Sequence, residues 1–364
     1  RQLLNVRRKL LESHVSPAEL RGEFSDLEID ERELQCGDMI GEGGYGSVYR
    51  ARWMQTDVAA KFFRAREGQV SDDFYRELTL LRKLRHPNIT LLIGYAFRGQ
   101  YIIVTELVQR GNLYDLLHRQ RHLPGFDLLR RQRRLPGFGE EWTSSNVIDI
   151  AREICLGMVY LHANDVVHRD LKSSNVLLNG PRQVKLCDFG LAAKLPSRGQ
   201  LKGTCGTVPF MSPEMLKNSA YGKATDVWSY GCTAYMLCYG ELAFIPERPT
   251  RDSMRRAILA GAPPRRLQKG GGAAGFIEQL LERSPAVRPT VAEALAHPHL
   301  RGGCPARVPA GVARQLDSEA GKCPHCLASR GTFAASESTG TGGSTPERQS
   351  SASSCHEDLG GSSG

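Results

Sequence analysis

The chain has 364 residues and a formal net charge of +9, and 40% of its residues are apolar. This length suits one large two-lobed domain, or two ordinary domains, with a tail left over. No apolar run is long enough to cross a membrane, so a membrane span is not expected. Much of the positive charge lies in residues 116–138, where six Arg accompany one Asp. Because the charge is local, a nucleic-acid partner is not expected.

Residues 1–33 are interpreted as a linker that precedes a globular domain. The segment begins with an amphipathic pattern, with Leu on one side and Arg7, Arg8 and Lys9 on the other. This pattern fits a linker helix or a flap packed on the domain, and a partner-binding site is the alternative. The segment is too charged for a signal peptide. Because the sequence does not begin with Met, we expect it to be a piece of a longer protein.

The globular domain is predicted to span residues 34–300 and to begin with a glycine-rich turn. Glycines in such a turn let backbone N–H groups approach a polyphosphate. The alternating pattern after the last glycine predicts a strand, whereas a dinucleotide-binding fingerprint would need a helix at that point. The turn and its flanks supply these candidate nucleotide contacts: Ile40, Gly41, Gly43, Gly44, Tyr45, Gly46 and Val48.

A lysine in a strand and a glutamate in a helix form the next candidate pair. Lys61 lies in the strand-like run of residues 57–63, where a solvent-facing side chain is the simplest interpretation. Ser71 can cap a helix whose first turn is acidic. On that helix Glu77 lies beside an apolar stripe, so its charge points inward and needs a partner. We predict that Lys61 is this partner and that it contacts nucleotide phosphates.

Residues 101–108 predict a buried strand that runs into a linker, and a further helix is predicted to begin shortly after it. Such a linker can present main-chain donors and acceptors to the edge of a purine. Thr105, Glu106 and Val108 are therefore candidate residues at the back and along the rim of a nucleotide pocket.

A tandem duplication follows. Residues 115–126 and 127–138 differ at two positions, both His to Arg, and each copy ends in Leu-Pro-Gly-Phe, a helix stop and turn. The unit is too short for a solenoid repeat. We interpret residues 118–141 as a basic insert tolerated in a surface loop, and a docking site for an acidic partner is the alternative.

The densest motif follows a helix predicted over residues 144–162. Asp170 can orient a hydroxyl, and Lys172 places a positive charge near a moving phosphate. Asn175 and Asp188 supply two metal ligands. These are the parts that a phosphoryl transfer requires.

In this order, the motifs resemble those of the eukaryotic protein kinases. The resemblance is carried by Gly41 to Val48, Lys61, Glu77, His168-Arg169-Asp170, Asn175 and Asp188-Phe189-Gly190. It implies an α+β fold of two lobes, in which a small β-rich lobe with one regulatory helix joins a larger helical lobe. It also implies ATP and Mg²⁺ as cofactors and a protein hydroxyl as acceptor of the γ-phosphate.

The resemblance also assigns roles by position. It places Asp170 on the substrate hydroxyl, Lys172 against the γ-phosphate, and Mg²⁺ between Asn175 and Asp188. Adenine would lie among Ile40, Val48, Ala59 and Leu177, and its edge would bond the backbone of Glu106 and Val108. The resemblance also implies that four side chains stack on one another when the kinase is in its active conformation, and this stack is called the spine: Leu81, Leu92, His168 and Phe189.

Residues 206–214 resemble the end of an activation segment, which docks a peptide substrate. There Thr207 is available to bond both Asp170 and Lys172, a combination that resembles Ser/Thr kinases. The resemblance also implies a structural ion pair between Glu214 and Arg288.

The substrate class is expected to be Ser and Thr. Residues 105–107, 111–113 and 211–214 resemble the tyrosine-kinase-like group, with mixed-lineage and Raf-like relatives, most of which phosphorylate Ser or Thr. Dual-specificity or tyrosine activity is the alternative. A pseudokinase scaffold is disfavoured because none of the expected catalytic residues is missing.

Regulation is expected at Arg169, because a buried guanidinium beside Asp170 needs an anion that a phosphate can supply. Thr204 is the first candidate for that phosphate and Ser197 the second, placed there by an upstream kinase or by autophosphorylation in trans. Ten Cys without a regular framework favour reduced thiols, so a cytoplasmic location is expected, with the nucleus as the alternative.

Residues 301–364 are rich in Gly, Ser, Thr and Pro and are expected to be disordered. Cys323 and Cys326 form a C-x-x-C pair, which is half of a zinc site. No second half lies at the usual spacing, so we interpret the pair as a chance occurrence.

Overall fold

The computed structural model describes residues 15–43, 46–64, 70–121, 133–134, 141–142, 144–180, 183–197, 199–261, 264, 267 and 273–301. Several features predicted from the sequence lie outside these residues: Gly44 and Tyr45 of the glycine-rich turn, the amphipathic start of the chain, most of the duplicated insert, and the tail with its C-x-x-C pair.

The small lobe is built on one antiparallel sheet. Its strands, in the spatial order β1-β2-β3-β5-β4, are β1 (Leu34–Gly43), β2 (Gly46–Trp53), β3 (Thr56–Phe63), β4 (Leu92–Arg98) and β5 (Gln100–Glu106). Helix α1 (Pro17–Phe24) precedes the sheet, and helix α2 (Asp72–Leu81) connects β3 to β4. Short 3-10 turns, Ser25–Leu27 and Glu31–Glu33, lead from α1 to β1.

Strand β5 explains why the sheet has an apolar layer on each face. Successive side chains of a strand point to opposite faces. Ile102 and Val104 belong to one layer, a small cluster between the strands and residues 29–34. Tyr101 and Ile103 belong to the other layer, which is continuous with α2 and with the core of the large lobe. The strand is therefore buried on both sides, as its unbroken apolar run predicts.

The large lobe is mainly helical. Its helices are α3 (Leu113–Arg121), α4 (Ser144–Ala163), α5 (Pro213–Leu216), α6 (Ala224–Tyr239), α7 (Arg251–Ala260), α8 (Ala274–Leu280), α9 (Val291–Ala296) and α10 (Pro298–Arg301). Short strands pair as β6 (Arg133–Arg134) with β7 (Glu141–Trp142), β8 (Val166–Val167) with β11 (Ala193–Lys194), and β9 (Val176–Leu178) with β10 (Val184–Leu186). The predicted α+β fold of two lobes is confirmed. Within the described residues, none of the helices combines the length and the apolar character needed to cross a membrane.

Local signals set the ends of the helices that carry the site. The Ser71 hydroxyl accepts a hydrogen bond from the Phe74 amide at 3.2 Å, so the predicted cap of α2 forms. Helix α2 ends at Leu81 with Arg82 as its C-cap. Helix α6 ends at Tyr239, and its C-cap Gly240 has a φ of 71°, in the left-handed region that favours glycine at this position.

The predicted ion pair between Glu214 and Arg288 is present and buried. The two guanidinium Nη atoms lie 2.9 and 3.2 Å from the two carboxylate oxygens. Ser212, to which no function was assigned from the sequence, has a structural role. Its hydroxyl caps α5 and lies 2.6 Å from the Thr225 hydroxyl, inside the protein. The Ser212 contact fixes residues 212–214 to α6.

The joint between the lobes contains a histidine that must stay neutral. The His86 ring stacks on Tyr160 with centroids 4.8 Å apart, and its Nδ1 accepts a hydrogen bond from the Asn88 amide at 3.1 Å. A protonated ring could not accept that bond. Burial, with a smaller effect of the Lys185 charge, lowers the pKa of His86 to about 4.

Because of His86, the folded protein is expected to become less stable as the pH is lowered. Between the ordinary histidine pKa of 6.5 and the folded value of about 4, the unfolded chain binds a proton that the folded chain does not, so acid favours unfolding. The ring is partly exposed and solvent screening reduces the effect, so from pH 7 to pH 5 the loss is below about 2 kcal/mol. His86→Asn does not titrate, and its side-chain oxygen can still accept from Asn88. Urea unfolding at both pH values should show a smaller loss for the variant, and equal losses would contradict this assignment.

Candidate active site

A lysine and two acidic side chains meet in the cleft between the lobes. Lys61 on β3 lies 2.8 Å from Glu77 Oε2 and 3.1 Å from Glu77 Oε1, so the predicted pair is present. The same ammonium lies 2.7 Å from Asp188 Oδ1, a contact that the sequence reasoning missed. Lys61 thus joins α2 to the loop that follows β10.

The charges of this group depend on one another. Burial alone would lower the pKa of Lys61, but Glu77 and Asp188 outweigh burial and hold it above its ordinary value. Burial would raise the pKa of Asp188, and the Lys61 charge holds it below its usual range. Burial raises the pKa of Glu77, although Lys61 opposes that shift. At neutral pH Lys61 is therefore the cation that permits two carboxyl groups side by side, of which Glu77 is buried and Asp188 is partly exposed.

A closed set of hydrogen bonds surrounds Asp170 in the loop of residues 168–175. The Lys172 ammonium donates to Asp170 Oδ2 at 2.7 Å and to Thr207 Oγ1 at 2.9 Å. The Thr207 hydroxyl donates to Asp170 Oδ1 at 2.8 Å. The Asn175 side chain donates to the Asp170 carbonyl at 2.9 Å. Asp170 is 7% exposed, so its carboxylate is fixed in position before any substrate binds.

Asp226, at the start of α6, holds the backbone of this loop. Its Oδ2 accepts from the His168 amide at 2.8 Å, and its Oδ1 accepts from the Arg169 amide at 2.9 Å. The His162 ring lies 2.9 Å from Oδ2. The sequence reasoning assigned no site role to Asp226. An acidic residue in the first turn of an otherwise apolar helix was the available signal, because a buried charge requires partners.

Two residues of the site have backbone conformations that favour glycine. Arg169 has φ of 64° and Asp188 has φ of 62°. Each of these backbone conformations costs of order 1 to 3 kcal/mol, and it persists because surrounding contacts hold the residue in place. For Arg169 the bonds to Asp226 provide that constraint, and for Asp188 the bond to Lys61 does.

The four residues predicted to form a spine belong to the interior. Leu81, Leu92 and Phe189 are buried in one continuous core, and His168 is 1% exposed. The His168 and Phe189 ring centroids lie 5.1 Å apart, and the His168 ring contacts the Cys187 carbonyl at 3.1 Å. Phe189 is thus packed inward while Asp188 turns towards Lys61.

The apolar side chains predicted to hold adenine are partly exposed. Ile40 on β1 is 52% exposed, and Val48, Ala59 and Leu177 are half-buried. Ala59 lies directly opposite Thr105 in the pairing of β3 with β5. Apolar surface left open to solvent in a cleft is available to a flat, apolar ligand.

The linker after β5 is held on one side by a salt bridge. Glu106 Oε1 lies 2.7 Å from the Lys185 ammonium and accepts from the Leu91 amide at 2.7 Å. The Glu106 amide donates to the Leu91 carbonyl at 3.0 Å. Its carbonyl is therefore the group that Glu106 would offer to a purine edge, and Val108 would contribute from the next part of the linker.

The structure describes only part of the glycine-rich turn. Within that part, Gly46 has a steric reason to be glycine, in addition to the predicted approach of a phosphate. A Cβ at this position would collide with the carbonyl group of Phe62 on β3, and the φ of Gly46 is 154°. Gly41 and Gly43 lie in β1, where Gly43 pairs with Gly46. The close approach of β2 to β3 thus requires Gly46 independently of any phosphate.

The donor set fits Mg²⁺ bound together with a polyphosphate. Asp188 offers a carboxylate that Lys61 keeps ionised. The Asn175 side-chain nitrogen donates to the Asp170 carbonyl, so Asn175 Oδ1 remains available as an oxygen ligand. In the part of the chain that the structure describes, no cluster of three His, Cys, Asp or Glu could hold a metal ion. Mg²⁺ typically takes one or two protein ligands and completes its coordination with phosphate and water.

The side chain of Arg169 has neutral partners. Its Nε donates to the Leu191 carbonyl at 2.5 Å, and its Nη1 lies 3.5 Å from the Tyr221 hydroxyl. None of the ion pairs found among the described residues includes it. Thr204 is exposed, and its hydroxyl donates to the Met215 carbonyl at 3.1 Å. Ser197 is also exposed.

Comparison with known proteins finds one family and many relatives. A family model described as Protein kinase domain matches residues 34–300. The chain is 36% identical over 280 residues to the probable serine/threonine-protein kinase SIS8 of Arabidopsis thaliana, covering 75% of this chain and 24% of that protein. It is 28% identical over 271 residues to the serine/threonine-protein kinase STY17 of the same plant, covering 74% of this chain and 44% of that protein.

A probable serine/threonine-protein kinase of Dictyostelium discoideum is 34% identical over 232 residues, covering 63% of this chain and 23% of that protein. The chain therefore spans less than half the length of these curated relatives.

Proposed function

The chain belongs to the protein kinase domain family, and on that premise we propose that it transfers the γ-phosphate of ATP to Ser and Thr hydroxyls of protein substrates in intracellular signalling. The observation that carries the proposal is the closed set of bonds among Asp170, Lys172 and Thr207. It fixes a carboxylate and a cation side by side, at the end of a segment suited to dock a peptide.

The residues divide the reaction between them. Asp170 accepts a hydrogen bond from the acceptor hydroxyl and directs its lone pair towards the phosphorus. Lys172 supplies positive charge beside the transferred group, and Lys61 supplies it further along the polyphosphate. Asn175 and Asp188 would hold Mg²⁺, which neutralises charge on the phosphate oxygens when bound. Ile40, Val48, Ala59 and Leu177 would hold the adenine.

Preference for Ser and Thr is the finer part of the proposal. Lys172 lies against both Asp170 and Thr207, in the arrangement that resembles Ser/Thr kinases. The named relatives are serine/threonine-protein kinases. We assign the chain to the tyrosine-kinase-like group on the motifs at residues 105–107, 111–113 and 211–214. Dual-specificity or tyrosine activity is the alternative, and a pseudokinase scaffold is the more distant one.

A transfer assay tests the proposal. The purified protein is incubated with radiolabelled ATP, Mg²⁺ and a generic protein substrate, and the labelled product is hydrolysed to its phosphoamino acids. Phosphoserine and phosphothreonine are expected, and omission of Mg²⁺ should abolish the label. Phosphotyrosine together with phosphoserine would favour the dual-specificity alternative. Absence of transfer by protein phosphorylated at Thr204 would favour a scaffold.

We further propose that a phosphate on Thr204 activates the enzyme by supplying an anion to Arg169. Arg169 precedes Asp170, and its guanidinium bonds only neutral groups among its described partners. Thr204→Ala should lower kcat by about tenfold, in the range of a 1 to 3 kcal/mol coupling. Ser197→Ala serves as the matched control and should have the smaller effect. Full turnover of protein that mass spectrometry shows to be unphosphorylated would contradict this role.

Location and partners complete the proposal. We propose a cytoplasmic enzyme, with the nucleus as the alternative, because the described Cys residues are free thiols and free thiols are usual in reducing compartments. Its partners would be protein substrates with Ser or Thr acceptors, and an upstream kinase or a second copy of the chain would phosphorylate Thr204.

A further inference from the structure

The segment before the sheet, residues 16–29, is packed tightly on the small lobe. Leu20 and Phe24 of α1 are each 1% exposed and belong to the same core as Tyr75 of α2. The Ser16 hydroxyl caps α1 as part of a capping box with Glu19. The segment is thus a formed element with a buried face.

Polar contacts bind α1 to α2 as well. The Phe24 and Tyr75 rings meet edge-on with centroids 6.0 Å apart, and the Tyr75 hydroxyl donates to Glu23 Oε2 at 2.7 Å. Arg82 donates to the Glu23 carbonyl at 2.7 Å and pairs with Asp26 at 3.0 Å. Its guanidinium carbon lies 5.1 Å from the centre of the Phe24 ring. One cation therefore connects the end of α1 to the end of α2.

The end of the segment is anchored separately, along β4 at the edge of the sheet. The Ile29 amide donates to the Tyr95 carbonyl at 2.8 Å, and Glu28 forms a parallel bridge with Tyr95. A Cβ on Gly94 would collide with the Leu27 carbonyl and lie 2.8 Å from Ile29 Cδ1. Gly94 thus leaves room for the segment.

Helix α2 presents different faces to the segment and to the active site. Tyr75 and Arg82 are two turns apart on the face that meets α1, while Glu77 and Leu81 are on a face that meets the sheet and the cleft. The helix has ten residues, too few for stability without packing. Its position therefore depends on contacts from both sides, and Glu77 reaches Lys61 only from that position.

We propose that residues 16–29 act as a clamp that holds α2 where Glu77 reaches Lys61, with Phe24 and Glu23 as positioning residues for phosphoryl transfer. The inference rests on the proposed kinase function and extends it to regulation. Undocking the clamp would free α2 to move away, which breaks the Lys61–Glu77 pair and lowers transfer without altering any residue that contacts ATP or substrate.

The test compares two variants of the clamp with matched controls, all in the full chain. Phe24→Ala removes the apolar anchor. Phe276→Ala, which removes a buried ring from α8 in the large lobe, controls for loss of core packing. Glu23→Lys removes the Tyr75 contact and places a cation near Arg82 without emptying the core. Glu31→Lys, an exposed residue of the same linker, controls for the change in charge.

We expect both clamp variants to lower kcat/KM for ATP by about fivefold to fiftyfold, within the usual range of coupling between sites. Glu31→Lys should stay within about twofold of the wild type. Phe276→Ala should do so when activity is expressed per folded protein, because its cavity lies in the large lobe. In a Glu77→Gln background the clamp variants should have little further effect, because the pair that they position is already lost. Equal losses in both backgrounds would overturn the proposal, since a general loss of folded protein would act alike in each.

Amide hydrogen exchange gives a readout that does not need catalysis. Residues 72–81 should exchange faster in Phe24→Ala and Glu23→Lys, and at the wild-type rate in Phe276→Ala and Glu31→Lys. Unchanged exchange in both clamp variants would overturn the clamp even if the enzyme is active. If wild-type protein transfers no phosphate, the proposed function fails, and faster exchange confined to the clamp variants would still support the clamp.

Discussion

Asp170→Asn should lower kcat by about 10² to 10⁴, because an amide cannot accept the hydroxyl proton as a carboxylate does. The shape of the side chain is kept, and its oxygen can still accept from Thr207 or Lys172. Nucleotide affinity should therefore stay close to that of the wild type. Steady-state transfer with radiolabelled ATP and direct nucleotide titration measure the two effects.

A matched control for this variant lies five residues earlier in the chain. Asp165 pairs with Lys223 at 2.9 Å on the surface, and it has a positive φ of 58° that Asn tolerates. Asp165→Asn makes the same chemical change outside the site and should leave kcat unchanged. If Asp170→Asn kept more than about a tenth of the wild-type kcat, below the usual contribution of such a group, its assignment as the hydroxyl-orienting residue would be wrong.

Lys61→Met should abolish most transfer and also destabilise the protein. Loss of a positioned donor near developing charge lowers kcat by about 10² to 10³. Glu77, 3% exposed, would be left without its cation, and removing one partner of a buried pair costs about 3 to 5 kcal/mol. Asp188 is less affected, because its side chain is 33% exposed and can be hydrated.

The double variant Lys61→Met/Glu77→Leu separates these two effects. With both charges removed, apolar side chains can fill the space, and such a replacement is often neutral for stability. Urea unfolding should show stability recovered relative to Lys61→Met, whereas transfer stays low. A double variant as unstable as Lys61→Met would contradict the account of Glu77 as a buried charge that depends on Lys61.

Contacts in the site could be predicted from the sequence when one side chain needed a partner of a particular charge. Glu77 beside an apolar stripe required a cation, and Lys61 was available. The ion pair of Glu214 with Arg288 and the bonds of Thr207 were predicted by resemblance to a family, and both form. The two-lobed fold likewise came from the resemblance, because the periodicity of single elements does not specify how lobes are arranged.

Contacts made to the backbone were not predictable in the same way. Asp226 binds the amides of His168 and Arg169, and amides are present at nearly every residue, so they leave no pattern in a sequence. The collision that requires glycine at position 46 also depends on a neighbouring strand. It cannot be distinguished from a phosphate-binding glycine until the strands are placed.

A flap packed on the domain was among the interpretations of residues 1–33, but the contacts that dock α1 were not predicted, for a related reason. Its anchors, Leu20 and Phe24, are ordinary apolar residues in a charged segment, and their partner Tyr75 lies on a helix whose apolar stripe already faces the sheet. The partners of Arg82, Asp26 and the Glu23 carbonyl, are more than fifty residues away in the chain. Pairing across such distances is decided by packing and not by local propensity.

The most direct test of the central claim is acceptor preference. Degenerate peptide libraries that are identical except for a fixed Ser, Thr or Tyr are compared as substrates of the wild-type protein, with Asp170→Asn as the blank. The structure of the Asp170, Lys172 and Thr207 site predicts transfer to the Ser and Thr libraries in excess of Tyr, and about a hundredth or less of that transfer with the blank. Transfer to the Tyr library alone, or equal label with the blank, would contradict it.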